Sequence, residues 1–350
     1  MRLCVVGSGA IGMTHVQSIA SSSGMELAGI ADPAPATARI ASQYGTRAYA
    51  DYGELITKEA PQGAIIAAPN ALHLPISRAF LEAGIPVLIE KPVANSVAEG
   101  MELAAVSAAT GVPALVGHHR RHHPAIRKAR ELIAAGALGR IAAVSITCNL
   151  MKPPEYFDAD WRRQPGVGGP LLINAIHEID LLRFTVGEIA EVMALTSSDI
   201  RGFEVEDTAA IIFRFESGAL ATLALSDTAS TPWSWDLSSG DAPRFPKHDI
   251  VSHMFSGTEA GLSLPRLELW RHQGERAWTT PLAAERVACE SRDPFLAQLE
   301  HFVAVIEGRE APLIDAREGS INLAVAEAVA ASARSGRVSR VADFIDLSRA

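Results

Sequence analysis

Cysteine is scarce in this chain, with three in 350 residues, Cys4, Cys148 and Cys289. The number is odd and no C-x-x-C pair occurs, so neither a disulfide framework nor a cysteine-ligated metal or redox centre is expected. Basic charge is also short: 31 Lys and Arg stand against 40 Asp and Glu, a formal net charge of −9. A surface of that sign repels phosphate backbones and anionic headgroups, which argues against nucleic acid and membrane surfaces as partners. No apolar run approaches the roughly 18 residues of a membrane helix. The N-terminus, "MRLCVVGSGAIG", enters a glycine-rich turn without a long h-region or a small-residue cleavage site. The expectation is a cytoplasmic, unprocessed globular protein.

What the chain does have is length and alternation. At 350 residues it exceeds the usual size of one hydrophobic core, so two domains are expected. In the first, residues 1–120, short apolar runs (3–7, 26–32, 63–69, 86–92 and 113–119) alternate with helical patterns near 12–21, 35–43, 73–83 and 96–109. This is the signature of βαβ units and a parallel sheet, whose strands read as continuously apolar because helices cover both faces. The second domain, residues 121–350, opens with a helix near 124–135. Longer alternating strands follow at 141–150, 190–198, 207–217 and 219–227, then helices near 294–307 and 316–333. "ESGAL" is expected to turn a hairpin at Gly218, giving an α+β domain on an antiparallel sheet. Residues 228–248, rich in Ser, Thr, Pro and Trp, read as an irregular loop, and no internal repeat is present.

The sharpest motif is Gly7-Ser8-Gly9-Ala10-Ile11-Gly12, a G-x-G-x-x-G pattern directly after the first strand and at the opening of a helix. Glycines there permit a tight turn and close backbone approach, so that a pyrophosphate rests on the helix N-terminus. The next strand ends at Asp32, twenty residues after Gly12, where a carboxylate accepts hydrogen bonds from the adenosine ribose. Asp32 repels a 2′-phosphate, so NAD is expected over NADP, with Arg39 as the cation able to reverse that preference.

Beyond this point the chain resembles a known family. The glycine-rich N-terminus, "APNALH" (68–73), Glu90-Lys91-Pro92 and a histidine after a "GG" turn together resemble the glucose-fructose oxidoreductase, inositol dehydrogenase and MocA (Gfo/Idh/MocA) family. The resemblance implies an NAD(P)-dependent oxidoreductase acting on sugars, polyols or cyclic diols. It implies a Rossmann domain followed by an α+β domain with a large open-faced, mostly antiparallel sheet. It further implies a catalytic Lys91, a cis peptide before Pro92, and cofactor contacts from Ala68, Pro69, Asn70, His73, Glu90 and Lys91. Open α/β sheets bind ligands beyond the carboxyl ends of their strands, where Lys91 falls.

The segment "LLINAIHEID" (171–180) shows helical apolar spacing interrupted by Asn174 and His177. Family members commonly carry D-x-x-x-H there, the histidine exchanging a proton. His177 matches that pattern, whereas Ile173 stands in the carboxylate's place. Because i−3 and i−4 neighbours share a helix face, Asn174 is expected to fill much of that space and to bind a substrate hydroxyl. Asp180, at i+3, is expected to fix the ring's tautomer, and Glu178 to be solvated. A hydrogen-bonded core histidine is the competing role for His177.

Two further stretches are rich in functional groups. "GHHRRHHP" (117–124) offers His118/His122 and His119/His123 at i,i+4 spacing, but Pro124 disfavours helix at His123 and no third-ligand set stands out, so no metal is expected. By resemblance this segment joins the domains and lines the active site, placing His119, Arg120 and Arg121 near substrate. In "DADWRRQPGVGG" (158–169), Trp161 and Arg163 are expected to meet substrate and Arg162 the cofactor, an aromatic face beside guanidinium groups suiting a nicotinamide, a sugar ring or a carboxylate. Trp233, Trp235, Trp270 and Trp278 suit packing or an oligomer interface, and a homo-oligomer (dimer or tetramer) through the open sheet is expected.

The function read from the sequence is NAD-dependent hydride transfer between a secondary alcohol of a sugar or polyol and the nicotinamide, with Lys91 and His177 assisting proton transfer. Dehydrogenation of a cyclic dihydrodiol or a carboxylated sugar, and a non-catalytic NAD-binding sensor, are the alternatives. "HEID" lacks the second histidine of H-E-x-x-H, which removes the commonest zinc-hydrolase signature.

Overall fold

The computed structural model describes residues 1–242 and 244–346. Contacts divide the chain into two units, one of residues 1–122 with 292–323, the other of residues 123–291 with 324–346. The division read from the sequence assigned 292–323 to the second domain; in the structure they return to the first.

The first unit begins β1 (Arg2–Val6), α1 (Ala10–Ser21), β2 (Glu26–Ala31), α2 (Ala36–Gln43), β3 (Ala48–Tyr49) and α3 (Tyr52–Glu59). It continues β4 (Gly63–Ile66), α4 (His73–Glu82), β5 (Val87–Ile89), α5 (Val97–Thr110) and β6 (Ala114–Val116). All six strands pair in parallel, in the order β3-β2-β1-β4-β5-β6. The order reverses beside β1, so the glycine turn that follows β1 lies at the switch point of the sheet, where such folds bind ligands. The short β3 and α3 were not anticipated from the sequence.

The second unit contributes α6 (Pro124–Ala134), β7 (Ile141–Asn149), a π-helical turn (Leu171–Ala175) running into α7 (Ile176–Thr185), β8 (Ile189–Ser197), β9 (Thr208–Phe215), β10 (Leu220–Ser226) and α8 (Trp235–Ser238). Four strands then follow that the sequence reading did not foresee: β11 (His253–Gly257), β12 (Gly261–Leu264), β13 (Glu268–His272) and β14 (Leu282–Arg286). The chain closes with α9 (Pro294–Ile306), α10 (Ala316–Ser335), β15 (Ser339–Arg340) and α11 (Ala342–Asp346). The second sheet has nine strands in the order β14-β13-β12-β11-β7-β10-β9-β8-β15. Its pairs are antiparallel except β7 with β10, which run parallel. Gly218 turns the β9–β10 hairpin at φ +85°.

Period-two alternation explains both sheets. In β1, Leu3 and Val5 face one helix layer while Cys4 and Val6 face the other, and all four are buried. Phe80 and Leu81 of α4 and Leu103 of α5 cover one side. On the other side, Ile65, Leu88 and Leu115 of β4, β5 and β6 pack in the same cluster as Leu299, Phe302 and Val305 of α9. That face of β4–β6 needs a cover, and α9 supplies it; this is why a helix far along the chain belongs to the first unit. In the second sheet, Ile211, Phe213, Phe215, Leu223 and Leu225 are buried while the alternate positions Ile212 and Leu220 are exposed.

Phe302 is fully buried in this shared core. Phe302→Ala is therefore expected to destabilise the first unit by ~3–5 kcal/mol, the usual cost of deleting a buried aromatic. Urea unfolding measures it, and a loss below ~1 kcal/mol contradicts the role given to α9.

Candidate active site

The glycine turn is shaped for close backbone approach. Gly7 has φ +103°, a region L side chains avoid. A Cβ there would overlap the carbonyl of Ala67, and one at Gly12 would overlap the carbonyl oxygen of Gly7. α1 opens at Ala10–Ile11 with no side-chain cap on Gly9 and no acidic residue in its first turn. Its leading N–H groups are thus left for an anion, and the cradle fits a dinucleotide pyrophosphate. Asp32, at the end of β2, accepts the Ser8 N–H at 2.6 Å, the Ser8 hydroxyl at 3.0 Å and the Ala34 N–H at 2.8 Å. Partial burial pushes this carboxyl up, but those three donors outweigh it and hold Asp32 below its ordinary value. A carboxylate kept ionised beside the glycine turn suits ribose hydroxyls. Arg39 is exposed on α2.

Ala68, Pro69 and Asn70 form the partly exposed loop beyond β4, and His73 is buried behind them. The His73 ring lies between two carbonyls, Nδ1 at 3.0 Å from the Pro92 oxygen and Nε2 at 2.9 Å from that of Ala68. Burial holds the ring's pKa below normal against the pull of those carbonyls. His73 therefore braces two loops against each other. The Lys91–Pro92 peptide is cis, as the resemblance implies.

Glu90 is buried, its Oε1 2.7 Å from His15 Nε2 on α1 and its Oε2 accepting the Lys91 N–H at 3.2 Å. Burial raises this carboxyl, yet the His15 hydrogen bond and the charges of His15, Lys91 and His119 leave it below the ordinary glutamate value. Gly117 on the neighbouring strand end fits closely against Glu90: a Cβ would stand 3.0 Å from the carboxyl carbon. His15 was not anticipated. It falls three residues after the last glycine of the motif, one turn into α1, but nothing in the sequence names its partner.

The histidine run does not gather. His119–His122 form a 3₁₀ turn, and Pro124 begins α6 with the His123 Nδ1 accepting the Ala125 N–H as its cap. Asn322 Nδ2 reaches His118 Nε2 at 3.2 Å, His119 stacks on Phe295 at 4.1 Å, and the His122 ring lies 5.1 Å from that of His301. Arg120 and Arg121 are buried, Arg121 donating to the Leu313 carbonyl at 3.0 Å. Among the described residues, no group of three or more His, Cys, Asp or Glu is placed to hold a metal ion.

In the second unit, His177 stands in the first turn of α7, buried, directly after the π-helical turn that carries Asn174. Asn174 is also buried, and its side-chain carbonyl Oδ1 accepts no hydrogen bond from any described residue. Asp180 is buried on the same helix. Glu178 corrects the expectation of a solvated side chain: it is fully buried, its Oε2 2.7 Å from His253 Nε2. The start of the π-helical turn is held by Glu206, which accepts the Leu171 N–H at 2.9 Å. Gly169, at φ +81°, leaves the room that Glu206 occupies. Trp161 is exposed, Arg162 lies over the Tyr156 ring at 4.0 Å and donates to the Tyr156 carbonyl, and Arg163 pairs with Asp160.

A parallel sheet with a phosphate cradle at its switch point and an acid at the end of the second strand defines a dinucleotide-binding protein. Residues 1–118 match a family model described as the oxidoreductase family, NAD-binding Rossmann fold, and residues 126–241 match the GFO/IDH/MocA C-terminal domain. The chain belongs to this family of NAD-binding oxidoreductases. The rhizopine catabolism protein MocA of Rhizobium meliloti is 29% identical over 328 residues, 93% of each chain. The scyllo-inositol 2-dehydrogenase (NAD(+)) of Bacillus subtilis (strain 168) is 26% identical over 353 residues, 96% of this chain and 95% of that protein. The WlbA dehydrogenase of Bordetella pertussis, solved in complex with NADH and UDP-GlcNAcA, has a TM-score of 0.78 at 24% identity, covering 97% of this chain and 98% of that one. The aldose-aldose oxidoreductase of Caulobacter crescentus, complexed with glycerol, has a TM-score of 0.80 at 23% identity, with 97% and 99% covered. The two solved structures share the fold. No helix among the described residues is long and apolar enough to cross a membrane.

Burial pushes the Glu206 carboxyl above its ordinary value, and nearby Asp227 adds to this against the Leu171 N–H and Lys152. The folded protein then holds that proton more tightly than the unfolded chain. The stability it contributes is present below the unfolded pKa of about 4.3 and is lost as pH rises through the folded value. Glu206→Gln keeps an acceptor for Leu171 and removes the titration. Its Tm advantage over wild type is expected to be larger at about pH 7 than at about pH 4; an equal difference at both contradicts the assignment.

Proposed function

We propose that this protein is an NAD-dependent dehydrogenase that oxidises a secondary alcohol of a sugar or polyol, residues 1–120 serving the cofactor and the later residues the substrate. When bound, NAD takes up the hydride. The hydroxyl proton has to leave as the carbon–hydrogen bond breaks. His177 accepts that proton, and the Lys91 ammonium stabilises the negative charge developing on the oxygen. Cofactor contacts are assigned to Gly7, Gly9, Ala10, Ile11, Gly12, Asp32, Ala68, Pro69 and Asn70, with Arg162 reserved for the nicotinamide end. His73 and Glu90 act one step behind, through the loops they hold. His119 and Trp161 complete the substrate assignment with Asn174.

The observation that carries the choice of a hydroxylated substrate is Asn174. A buried carbonyl oxygen without a donor is costly unless a ligand supplies one, and a substrate hydroxyl does so where a carboxylate would be repelled. Of the four arginines at 120–121 and 162–163 that kept a carboxylated substrate in view, three already have protein partners: Arg121 donates to the Leu313 carbonyl, Arg162 to the Tyr156 carbonyl and Arg163 to Asp160. Asp32, ionised and tied to the glycine turn, favours NAD over NADP. Two further proposals complete the reading. With no cysteine pair suited to a disulfide framework, the enzyme works in a reducing cytoplasm. The apolar open face of the second sheet, where Leu195 is 66%, Ile212 48% and Met254 48% exposed, pairs with another copy.

General acid–base and electrostatic help of this kind is worth ~10²–10⁴ in rate. Lys91→Ala and His177→Ala are each expected to lower kcat by about two decades or more, with NADH affinity unchanged within a factor of about two. NADH formation at 340 nm from a panel of polyols, aldoses, sugar acids and dihydrodiols identifies the substrate used for that comparison. Near-normal kcat in either variant rejects its role, and a higher kcat/KM with NADP than with NAD rejects the reading of Asp32.

A further inference from the structure

We infer that His15 is a positioning residue for the proposed reaction: by holding the Glu90 carboxyl in place it fixes the backbone from which the Lys91 side chain springs. The residues involved all belong to the first unit. Only the kinetic arm of the test below rests on the catalytic reading of Lys91.

Packing does not account for a histidine at this position. His15 stands on the inward face of α1 with Gly12, Val16 and Ile19, and it is fully buried. An aliphatic side chain would serve there as Val16 and Ile19 do, because a buried imidazole is costly unless its polar atoms are met. Nδ1 bonds no described residue, whereas Nε2 lies 2.7 Å from Glu90 Oε1. The bond to Glu90 is therefore the polar contact that offsets burial of the ring.

Glu90 depends on the same bond. Its carboxyl has two ties, Oε1 to the His15 ring and Oε2 to the Lys91 N–H at 3.2 Å. Gly117 leaves no slack behind it: a Cβ there would stand 3.0 Å from both the carboxyl carbon and Oε1. The two oxygens move as one rigid plane, so a carboxyl turned away from His15 also leaves the Lys91 amide. The sheet fixes the chain up to this point, the Glu90 N–H donating to the Ile66 carbonyl at 2.8 Å and the Gly117 N–H to that of Ile89 at 2.7 Å. For the next amide, that of Lys91, the Glu90 side chain takes over.

α9 closes the arrangement. Asp293 caps it, accepting the Phe295 N–H at 2.8 Å and the Leu296 N–H at 3.1 Å. The Phe295 ring so placed meets His15 edge to face at 6.1 Å and lies flat on His119 at 4.1 Å. It restricts the planes open to the His15 ring. α1 thus has two duties, the cradle at its first residues and, one turn on, the hold on Glu90. His15 acts through Glu90 and is assigned no contact of its own with cofactor or substrate.

Hydrogen exchange of the full-length protein, followed by mass spectrometry over peptides that span Lys91, tests the hold without any substrate. Exchange at the Lys91 amide is expected to be about tenfold or more faster in His15→Leu than in wild type. His15→Gln, whose side-chain amide reaches the place of Nε2, is expected to stay within about threefold of wild type. Equal protection in His15→Leu and wild type overturns the proposal. In the kinetic arm, His15→Leu is expected to lower kcat about tenfold or more while the Kd for NADH stays within about twofold, and His15→Gln to recover kcat to within about threefold of wild type. Wild-type kcat in His15→Leu, or a His15→Gln enzyme as slow as His15→Leu, overturns the positioning role. So does a Kd for NADH that rises in step with the loss of kcat, which would make His15 a support of the cradle instead. If His15→Leu does not fold, His15→Asn, whose amide falls short of the Nε2 position, takes its place with the same expected losses. A normal kcat in Lys91→Ala, with the exchange result as expected, would reject the catalytic reading of Lys91 and leave the hold on its backbone standing.

Discussion

The first unit is organised around one buried carboxylate. Glu90 is removed from water at the carboxyl end of β5, a placement that is costly unless the charge is answered. It is answered by the His15 ring at 2.7 Å and the Lys91 amide at 3.2 Å, with the Lys91 and His119 charges nearby. Those partners come from different parts of the chain: the helix that opens with the glycine cradle, the strand end before the cis peptide, and the 3₁₀ turn after β6. His73 extends the set by holding the Ala68 and Pro92 carbonyls. The phosphate cradle, the 68–70 loop and Lys91 are thus fixed by one connected group of polar contacts at the strand ends, where the fold leaves room for a ligand.

The second unit solves a similar problem differently. The helix that carries His177 starts with a π-helical turn and no side-chain cap, and the Glu206 carboxyl accepts the Leu171 N–H at its start instead. Burial raises the Glu206 carboxyl above its ordinary value, whereas Glu178 meets the His253 ring. Asn174, between Leu171 and Glu178 in the chain, differs: its side-chain oxygen accepts no hydrogen bond from any described residue. Its unanswered carbonyl is what a hydroxylated ligand would complete, and binding sites are where such incomplete pairing is tolerated.

Most of the first sheet was legible because its strands are short apolar runs set between glycines, prolines and helical patterns, and the glycine motif sits in the one context that gives it meaning. Lys91 and the cis peptide before Pro92 were read from resemblance, not periodicity. What stayed hidden depended on distant partners. β3 has two residues, too few for any pattern. β11–β14 run four or five residues each, broken by Gly257, Gly261 and Pro265, and β14 is mostly exposed, so backbone pairing rather than alternation defines it. Glu178 was misjudged because i,i+1 neighbours face apart on a helix, which says where a side chain does not point but not what meets it. Its partner lies on one of those unforeseen strands. The return of α9 to the first unit follows from the uncovered side of β4–β6, visible only once strand order is known.

Membership of the family and the NAD-binding fold leave one chemical claim at the centre: a hydride travels directly from a carbinol carbon of the substrate to the bound cofactor. A polyol that supports turnover, prepared with deuterium at its carbinol carbons and oxidised by the enzyme in ordinary water, tests this most directly. The NADH recovered is predicted to be one mass unit heavier than that from the unlabelled polyol. NADH of unchanged mass would contradict the account.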